Sequence, residues 1–153
     1  MYYALASLFV VFIFWLCAVC CSAKEPIIAP EPLDLTKLLR SIKQAENWDG
    51  VSIGRVGEKG ALQWREETWF QFSTKPYHYC LGKTAIARAE LAEAEDSYIH
   101  WLMHCCRLLG RQPTPYLVGL IHTAGFGKVE SGNVGAAKRD FAQRVSNLYY
   151  DER

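Results

Sequence analysis

Hydrophobic positions recur at helical spacing soon after residue 33. The repeating positions are Leu35, Leu38, Leu39, Ile42 and Ala45. Apolar residues three and four apart share one face of a helix, so the pattern predicts an amphipathic helix over residues 35–47. Asp34 or Thr36 can cap its first turn. Glycines at positions 50, 54, 57 and 60 then predict a short irregular hairpin or loop over residues 51–60.

The later part of the chain carries four more helical patterns. Residues 64–72 predict a short helix, and residues 84–109 predict the longest one, which Gly110 ends. Thr114 and Pro115 suit the start of a helix that ends at Gly125. The apolar stripe of the longest predicted helix consists of Ala87, Leu91, Ala94, Tyr98, Leu102, Cys105 and Leu109. The last predicted helix has apolar residues at helical spacing: Ala137, Phe141, Val145 and Leu148. The body, residues 33–153, is therefore predicted to be one mainly α domain, a helical bundle around helix 84–109 with one small irregular or β excursion.

The first 23 residues contain no charged side chain, and every Lys, Arg, Asp and Glu follows them. A short apolar run that ends in small residues is typical of a signal peptide, with cleavage expected before Lys24. No basic residue precedes the run, so an uncleaved membrane anchor is the alternative. Three prolines in residues 24–32 predict an extended tether. The protein is expected to be exported, to the periplasm or cell envelope with or without a membrane anchor, or to be secreted.

Charge and cysteine content narrow the possible partners. Seventeen basic and sixteen acidic residues give a net charge of +1, which removes the electrostatic reason for a nucleic-acid partner. In the body, Cys80 can pair with Cys105 or Cys106, or all three can be buried thiols. Their spacing does not resemble a zinc site, and no metal or organic cofactor is expected.

Glu46 is the candidate for chemistry. It stands four residues after Ile42, on or beside the apolar stripe of the first predicted helix. Partial burial disfavours the charged form of a carboxylate, which is what a general acid needs near neutral pH. Periodicity alone favours the simpler alternative, a helix-terminal glutamate at the edge of the stripe.

The residues around Glu46 resemble those of the lysozyme-like lytic transglycosylases. Residues 44–46, QAE, are followed by GEKGALQ at 57–63, which matches the family turn GxxGxxQ at both glycines and the glutamine. Residues 120–127, LIHTAGFG, resemble the AYNAGxG segment of the same family, and residues 141–149, FAQRVSNLY, resemble its terminal helix. The three blocks follow the family's order across nearly the whole body.

This resemblance implies an α+β lysozyme-like fold with a substrate cleft. It also implies an enzyme that cleaves the β-1,4 bond between N-acetylmuramic acid and N-acetylglucosamine in peptidoglycan. Glu46 would protonate the glycosidic oxygen and then take the proton of the muramyl 6-hydroxyl, leaving a 1,6-anhydro sugar. Hydrolysis would instead need a second carboxylate. The candidates are Asp49, Glu58, Glu66 and Glu67, of which Glu58 is interpreted as a solvated loop charge.

Five further residues are expected to bind substrate. Gln63 would orient the sugar through its amide, with a loop hydrogen bond as the alternative. Trp48 and Trp64 would offer aromatic faces to sugar rings. His122 and Thr123 stand where the family has Tyr and Asn, and His122 is expected either to bond Glu46 or the substrate or to be a satisfied core residue.

Glycines of the GEKGALQ turn have two interpretations. Gly57 and Gly60 would let the backbone approach the sugar or the catalytic glutamate, or would simply form a tight turn. The departures from the family at His122 and Thr123 motivate an alternative function, a catalytically inactive lysozyme-like module that binds peptidoglycan or is structural. In either case the expected partner is the peptidoglycan glycan strand, and the protein is expected to be a monomer.

Overall fold

The computed structural model of the protein describes residues 31–46 and 57–151. The chain divides into two compact units, Met1–Pro32 and Leu33–Arg153, and the second contains every helix described below. The predictions of a signal peptide or anchor at residues 1–23, and of sugar binding by Trp48, lie outside the described residues. So do most of the tether, residues 24–30, and most of the predicted excursion, residues 51–56.

The described part of the chain is mainly helical, as predicted. The elements are α1 Leu35–Ala45, α2 Glu66–Phe72, a 3-10 helix Tyr77–Leu81, α3 Ala85–Leu108, α4 Pro115–Ala124, α5 Phe126–Glu130 and α6 Ala136–Asp151. In the described ranges the β content is an isolated antiparallel bridge between Lys59 and Trp64. None of the helices in these ranges is long and apolar enough to cross a membrane.

Helix starts follow the capping signals of the sequence. The side chain of Asp34 accepts a hydrogen bond from the Lys37 amide at 3.0 Å, so Asp34 and not Thr36 caps α1. Thr84 and Thr114 cap α3 and α4 in the same way. The prediction for the end of α1 was wrong by two residues, because the helix ends at Ala45 and Glu46 is its C-terminal cap.

The long helix α3 packs against several other elements. It contacts α1, α2, α4 and the 3-10 helix. Five residues of its predicted stripe are buried and the other two, Leu91 and Leu109, are half-buried. The stripe is thus largely removed from water, as expected for an apolar helix face that packs against neighbouring elements.

The helices α4 and α6 approach each other closely at a glycine. A Cβ atom placed on Gly119 would lie only 3.0 Å from the side chain of Val145, so the two backbones come together where α4 has no side chain. The same helix carries His122 one turn later, next to its end at Ala124. The crossing therefore fixes the position of the last turn of α4.

Two polar contacts fix α1 against its neighbours. The amide of Asp34 donates a hydrogen bond to the Tyr149 hydroxyl of α6 at 2.9 Å. Near the other end of α1, Lys43 Nζ lies 2.7 Å from the carboxylate of Glu95 on α3, a side chain that is 10% exposed. Since Lys43 and Glu46 belong to the same end of α1, this ion pair helps to hold Glu46 in place.

Two short elements and one helix start differ from the sequence-based prediction. The 3-10 helix and α5 were not predicted, because five residues are too few to show a helical period. The helix expected from residue 64 begins at Glu66, because the backbone of Trp64 pairs with Lys59 instead.

The three body cysteines are buried thiols and form no disulfide. The prediction of buried thiols is therefore confirmed and the alternative, a disulfide from Cys80 to Cys105 or Cys106, is not formed. Burial raises the pKa of Cys80 and of Cys106 to about 11, which keeps both thiols protonated at neutral pH. Protonated thiols are weak nucleophiles, so these residues serve packing.

Candidate active site

Glu46 lies at the end of α1, where the helix gives way to the following segment. Its backbone amide donates to the Ile42 carbonyl at 3.0 Å, so the last helical turn sets the direction of its side chain. The side chain is 22% exposed. A partly exposed carboxylate at a fixed helix end can contact a ligand, and neighbouring side chains can still orient it.

Among the described residues, His122 forms a hydrogen bond with this carboxylate. Its Nε2 lies 2.9 Å from Glu46 Oε1, and its side chain is 5% exposed. The imidazole stacks on the ring of Phe141 of α6, with centroids 5.7 Å apart. Helices α1, α4 and α6 thus bring together a carboxylate, an imidazole and an aromatic support that are distant in the sequence.

Tyr98 of α3 extends this contact into the core. Its hydroxyl lies 2.8 Å from His122 Nδ1, the other ring nitrogen. The ring is surrounded by Trp64, Phe72 and Trp101. Burial first, and then the charge of Glu46, raise the pKa of Tyr98 well above its usual range. The hydroxyl therefore keeps its proton and can donate it in a hydrogen bond.

The three side chains form one hydrogen-bonded series with a defined direction. If the Tyr98 hydroxyl donates to His122 Nδ1, that nitrogen carries no proton and Nε2 carries one. Nε2 then donates to the carboxylate of Glu46. We assign this tautomer because it satisfies all three groups at once. The arrangement gives Glu46 a hydrogen-bond donor that is itself oriented from the core.

A cavity of about 970 Å³ opens beside Glu46. It is lined by the predicted catalytic glutamate and by the four described residues that were predicted to bind substrate: Glu46; Gln63, Trp64, His122 and Thr123. The three sequence blocks, separated by up to about a hundred positions, therefore contribute to a single surface.

The GEKGALQ turn is held by its own hydrogen bonds. The backbone amide and the side-chain Nε2 of Gln63 each lie 3.0 Å from the carbonyl oxygen of Gly60, to which both donate. Gln63 adopts a φ of 48°, in the left-handed region that a non-glycine residue rarely occupies. The Tyr77 hydroxyl bonds the carbonyls of Gly57 and Trp64 at the two ends of the turn.

Gly60 approaches a different group from the one expected. A Cβ atom at this position would lie 2.5 Å from the carbonyl oxygen of Cys80, whereas nothing described lies within 4 Å of a Cβ placed on Gly57. Among the described residues, Gly60 thus allows the turn to pack against the 3-10 helix and not against Glu46. For Gly60 this favours the second interpretation, a tight turn, and approach of either glycine to the sugar stays a prediction.

Trp64 and Thr123 border the cavity in different ways. Trp64 is only 3% exposed and packs against Trp69, Phe72 and Tyr98, so most of its ring belongs to the core. Thr123 is half-buried, and its hydroxyl accepts a hydrogen bond from Lys138 at 3.0 Å. Sugar binding by either residue stays a prediction.

The candidate second carboxylates are separated by the fold. Glu58 lines the same cavity as Glu46, whereas Glu66 and Glu67 line another cavity, of about 720 Å³, and Asp49 lies outside the described residues. Glu58 is 20% exposed and lies 3.7 Å from Arg65. It is therefore not the solvated loop charge that the sequence suggested.

Several cavity residues were not predicted. Tyr98 was interpreted only as a member of the α3 stripe, although a polar tip on a buried stripe needs a partner. Lys128, Lys138 and Arg144 also line the cavity and gave no signal of their own in the sequence. The described residues contain no group of three or more His, Cys, Asp and Glu side chains placed to bind a metal ion.

Comparison of the chain with family models, with curated proteins and with solved structures finds no match. The resemblance to lysozyme-like lytic transglycosylases therefore rests on the three sequence blocks alone. What the site offers by itself is a carboxylate with an oriented donor, at the edge of a cavity of a size that can hold sugar rings.

Proposed function

We propose that this protein cleaves the β-1,4 bond between N-acetylmuramic acid and N-acetylglucosamine in peptidoglycan by lytic transglycosylation, with Glu46 as the catalytic residue. The observation that carries the proposal is the hydrogen bond from His122 to Glu46 at 2.9 Å, beside a cavity lined by the sequence blocks that resemble the family. The helical body would then be a lysozyme-like domain, and this cavity its substrate cleft.

Glu46 would act twice in the reaction. As an acid it gives its proton to the glycosidic oxygen, and the bond from that oxygen to the muramyl C1 breaks. As a carboxylate it then takes the proton of the muramyl 6-hydroxyl, whose oxygen forms the new bond to C1. The products are a shortened strand with a free 4-hydroxyl and a 1,6-anhydromuramyl end, so no water is consumed and Glu46 regains its proton.

His122 would stabilise the intermediate stage of this cycle. Since His122 faces Oε1, we assign the transferred proton to Oε2 of Glu46. Once that proton has left, the full negative charge is next to an Nε2–H donor held by Tyr98. A preorganised donor stabilises developing charge without having to reorient during the reaction. His122 would thus take the place that a tyrosine hydroxyl has in the family.

A hydrolytic reaction is the second candidate, because Glu58 lines the same cavity as Glu46. A second carboxylate can activate a water molecule or stabilise the sugar cation. Hydrolysis would leave a reducing muramyl end in place of the anhydro ring.

A release assay tests cleavage of either kind. Purified protein is incubated with insoluble peptidoglycan, and soluble muropeptides are measured for the unmodified protein and for Glu46→Gln. We expect release by the first and none by the second, with the same circular-dichroism spectrum for both. An equally active Glu46→Gln protein would rule out Glu46. Binding to the wall without release would instead favour the inactive peptidoglycan-binding module.

Access to peptidoglycan requires export from the cytoplasm. We propose that the uncharged N-terminal segment, residues 1–23, provides it, either as a cleaved signal peptide or as a membrane anchor. N-terminal sequencing of the protein recovered from the cell envelope distinguishes the two, since cleavage would expose Lys24.

A further inference from the structure

One wall of the cavity beside Glu46 is positively charged. Lys138 and Arg144 of α6 and Lys128 of α5 all line it. Lys138 and Arg144 belong to a face of α6 that also contains Phe141, since residues three positions apart lie near each other on a helix. The same face that supports His122 therefore carries two of the three cations.

These three cations form no ion pair with any carboxylate that the structure describes. Lys138 donates to the hydroxyl of Thr123 at 3.0 Å, and the Arg144 guanidinium lies 5.6 Å from the centre of the Phe141 ring. Both contacts are with uncharged groups. They place the cationic groups without neutralising them.

Among the described residues that line the cavity, the carboxylates are Glu46 and Glu58, and Glu58 lies 3.7 Å from a further cation, Arg65. Four cations against two carboxylates leave an excess of positive charge in this described lining. The whole chain carries only +1, so this excess is local and not a result of general basicity.

A concave surface with one sign of charge raises the local concentration of oppositely charged ligands. Lysine and arginine also form charge-assisted hydrogen bonds with carboxylates, and arginine can hold both oxygens of one carboxylate. Neutral sugars can accept hydrogen bonds from such groups but gain no attraction between opposite charges. The wall therefore favours a glycan that bears negative charge near the bond to be cleaved.

We propose that Lys128, Lys138 and Arg144 form a carboxylate-binding subsite, so that the preferred ligand is a muramyl glycan whose lactyl side carries a carboxylate. This inference rests on the proposed function for the identity of the glycan. The carboxylate has two possible sources, the stem peptide or, in strands without peptide, the lactyl group itself. Both lie on the same side of the muramyl ring.

Binding measurements on the Glu46→Gln protein test the subsite without cleavage. Calorimetry would compare three soluble ligands: peptide-bearing muramyl oligosaccharides, peptide-free strands with a free lactyl carboxylate, and neutral N-acetylglucosamine oligomers of equal length. We expect the charged ligands to bind at least about tenfold more tightly than the neutral ones, the size of one charge-assisted hydrogen bond. The tighter of the two charged ligands identifies the source of the carboxylate.

Two variants of equal charge change provide the matched control. Adding Arg144→Gln should weaken binding of the charged ligands about tenfold and leave the neutral ligand unchanged. Adding Arg139→Gln, also on α6 but not among the residues that line the cavity, should change neither. Equal affinity for charged and neutral ligands, or equal weakening by both variants, would overturn the subsite.

The outcome separates this inference from the proposed function. Release of anhydromuropeptides together with equal binding of charged and neutral glycans would remove the subsite and keep the enzyme. Selective binding that depends on Arg144, without any release by the unmodified protein, would keep the subsite and remove the enzyme.

Discussion

Two of the three regions that resemble the lytic transglycosylases differ in the contacts that hold them in place. The GEKGALQ turn, residues 57–63, matches the family pattern, and its glutamine and second glycine are used to build the turn itself. The segment around His122 departs from the pattern, yet it supplies the side chain that contacts Glu46. A motif match can thus mark a structural requirement, while a departure from the motif can lie beside the proposed catalytic residue.

The difference has a physical origin. A tight turn restricts its residues strongly, because a positive φ and a backbone contact leave few side chains that fit. A hydrogen bond to a carboxylate can be made by any donor that reaches it, so a tyrosine hydroxyl and a histidine Nε2–H are interchangeable in principle. If this is correct, changes in the turn should affect stability, and changes around His122 should affect catalysis.

The largest expected effect is that of Gly60→Ala on stability. The new Cβ would lie 2.5 Å from the Cys80 carbonyl oxygen, at a φ of 75°. Backbone strain and overpacking together should cost about 3 kcal/mol in the free energy of unfolding, measured by urea denaturation. Gly57→Ala is the control, with a positive φ but no described contact, and should cost about 1 kcal/mol. Equal losses would mean that the Cys80 contact is unimportant.

His122→Phe should lower kcat about 100-fold, or roughly 2.7 kcal/mol, with little change in KM. Phenylalanine keeps the ring against Phe141 but cannot donate to Glu46. His122→Tyr, which introduces the family's residue, should retain more activity. Muropeptide release over a range of substrate concentrations gives both constants. A His122→Phe protein as active as the unmodified one would show that the contact with Glu46 is not used.

Alkaline pH should weaken both regions, because each is held by a tyrosine with a raised pKa. Burial raises the pKa of Tyr77 from 10.0 to about 12, and Tyr98 is shifted in the same direction. A raised pKa means that the folded state keeps a proton that the unfolded state loses. The contribution of Tyr77 is therefore complete below pH 10 and is lost as the pH rises to about 12.

The buried thiols should make the free energy of unfolding decrease from a lower pH than the tyrosines alone would. The pKa of Cys80 and of Cys106 rises from 9.0 to about 11, so the decline should begin near pH 9. Urea unfolding at a series of pH values measures it. Tyr77→Phe should flatten the part between pH 10 and 12. Stability that does not change up to pH 12 would contradict the burial of these groups.

A pair of tyrosine variants contrasts the two regions directly. Tyr98→Phe removes the hydrogen bond to His122 Nδ1 and should lower kcat about tenfold, because the imidazole loses its orienting partner. Tyr77→Phe removes the bonds across the turn and should cost about 1 kcal/mol of stability while leaving kcat nearly unchanged. Unfolding and release assays on both proteins check the contrast. The reverse pattern would refute it.

The smallest expected effect is at Gln63. Gln63→Ala removes the side-chain bond to Gly60 and keeps the φ of 48°, whereas Gln63→Gly removes the same bond and relieves the strain. The glycine variant should be more stable than the alanine variant by about 1 kcal/mol. If both variants also raise KM equally, Gln63 has the substrate-binding role that the sequence suggested in addition to its role in the turn.

The sequence predicted most of the helical framework but only part of the site. Helix caps such as Thr84 and Thr114 are local signals, and the α3 stripe is periodic over 24 residues, so both could be read directly. The 2.8 Å contact between Tyr98 and His122 joins α3 to α4, and the charged wall joins α5 to α6. Such contacts depend on how two helices cross. The periodicity of residues along one helix gives no information about that crossing.

The identity of the product ends tests the central claim most directly. Unmodified protein and Glu46→Gln are incubated with peptidoglycan, and the soluble products are analysed by mass spectrometry. The account predicts muropeptides with 1,6-anhydro ends, 18 Da lighter per chain than hydrolysis products because one water is not added, and none from Glu46→Gln. Reducing ends would contradict transglycosylation, and products unaffected by Glu46→Gln, or no products from the unmodified protein, would contradict catalysis by Glu46.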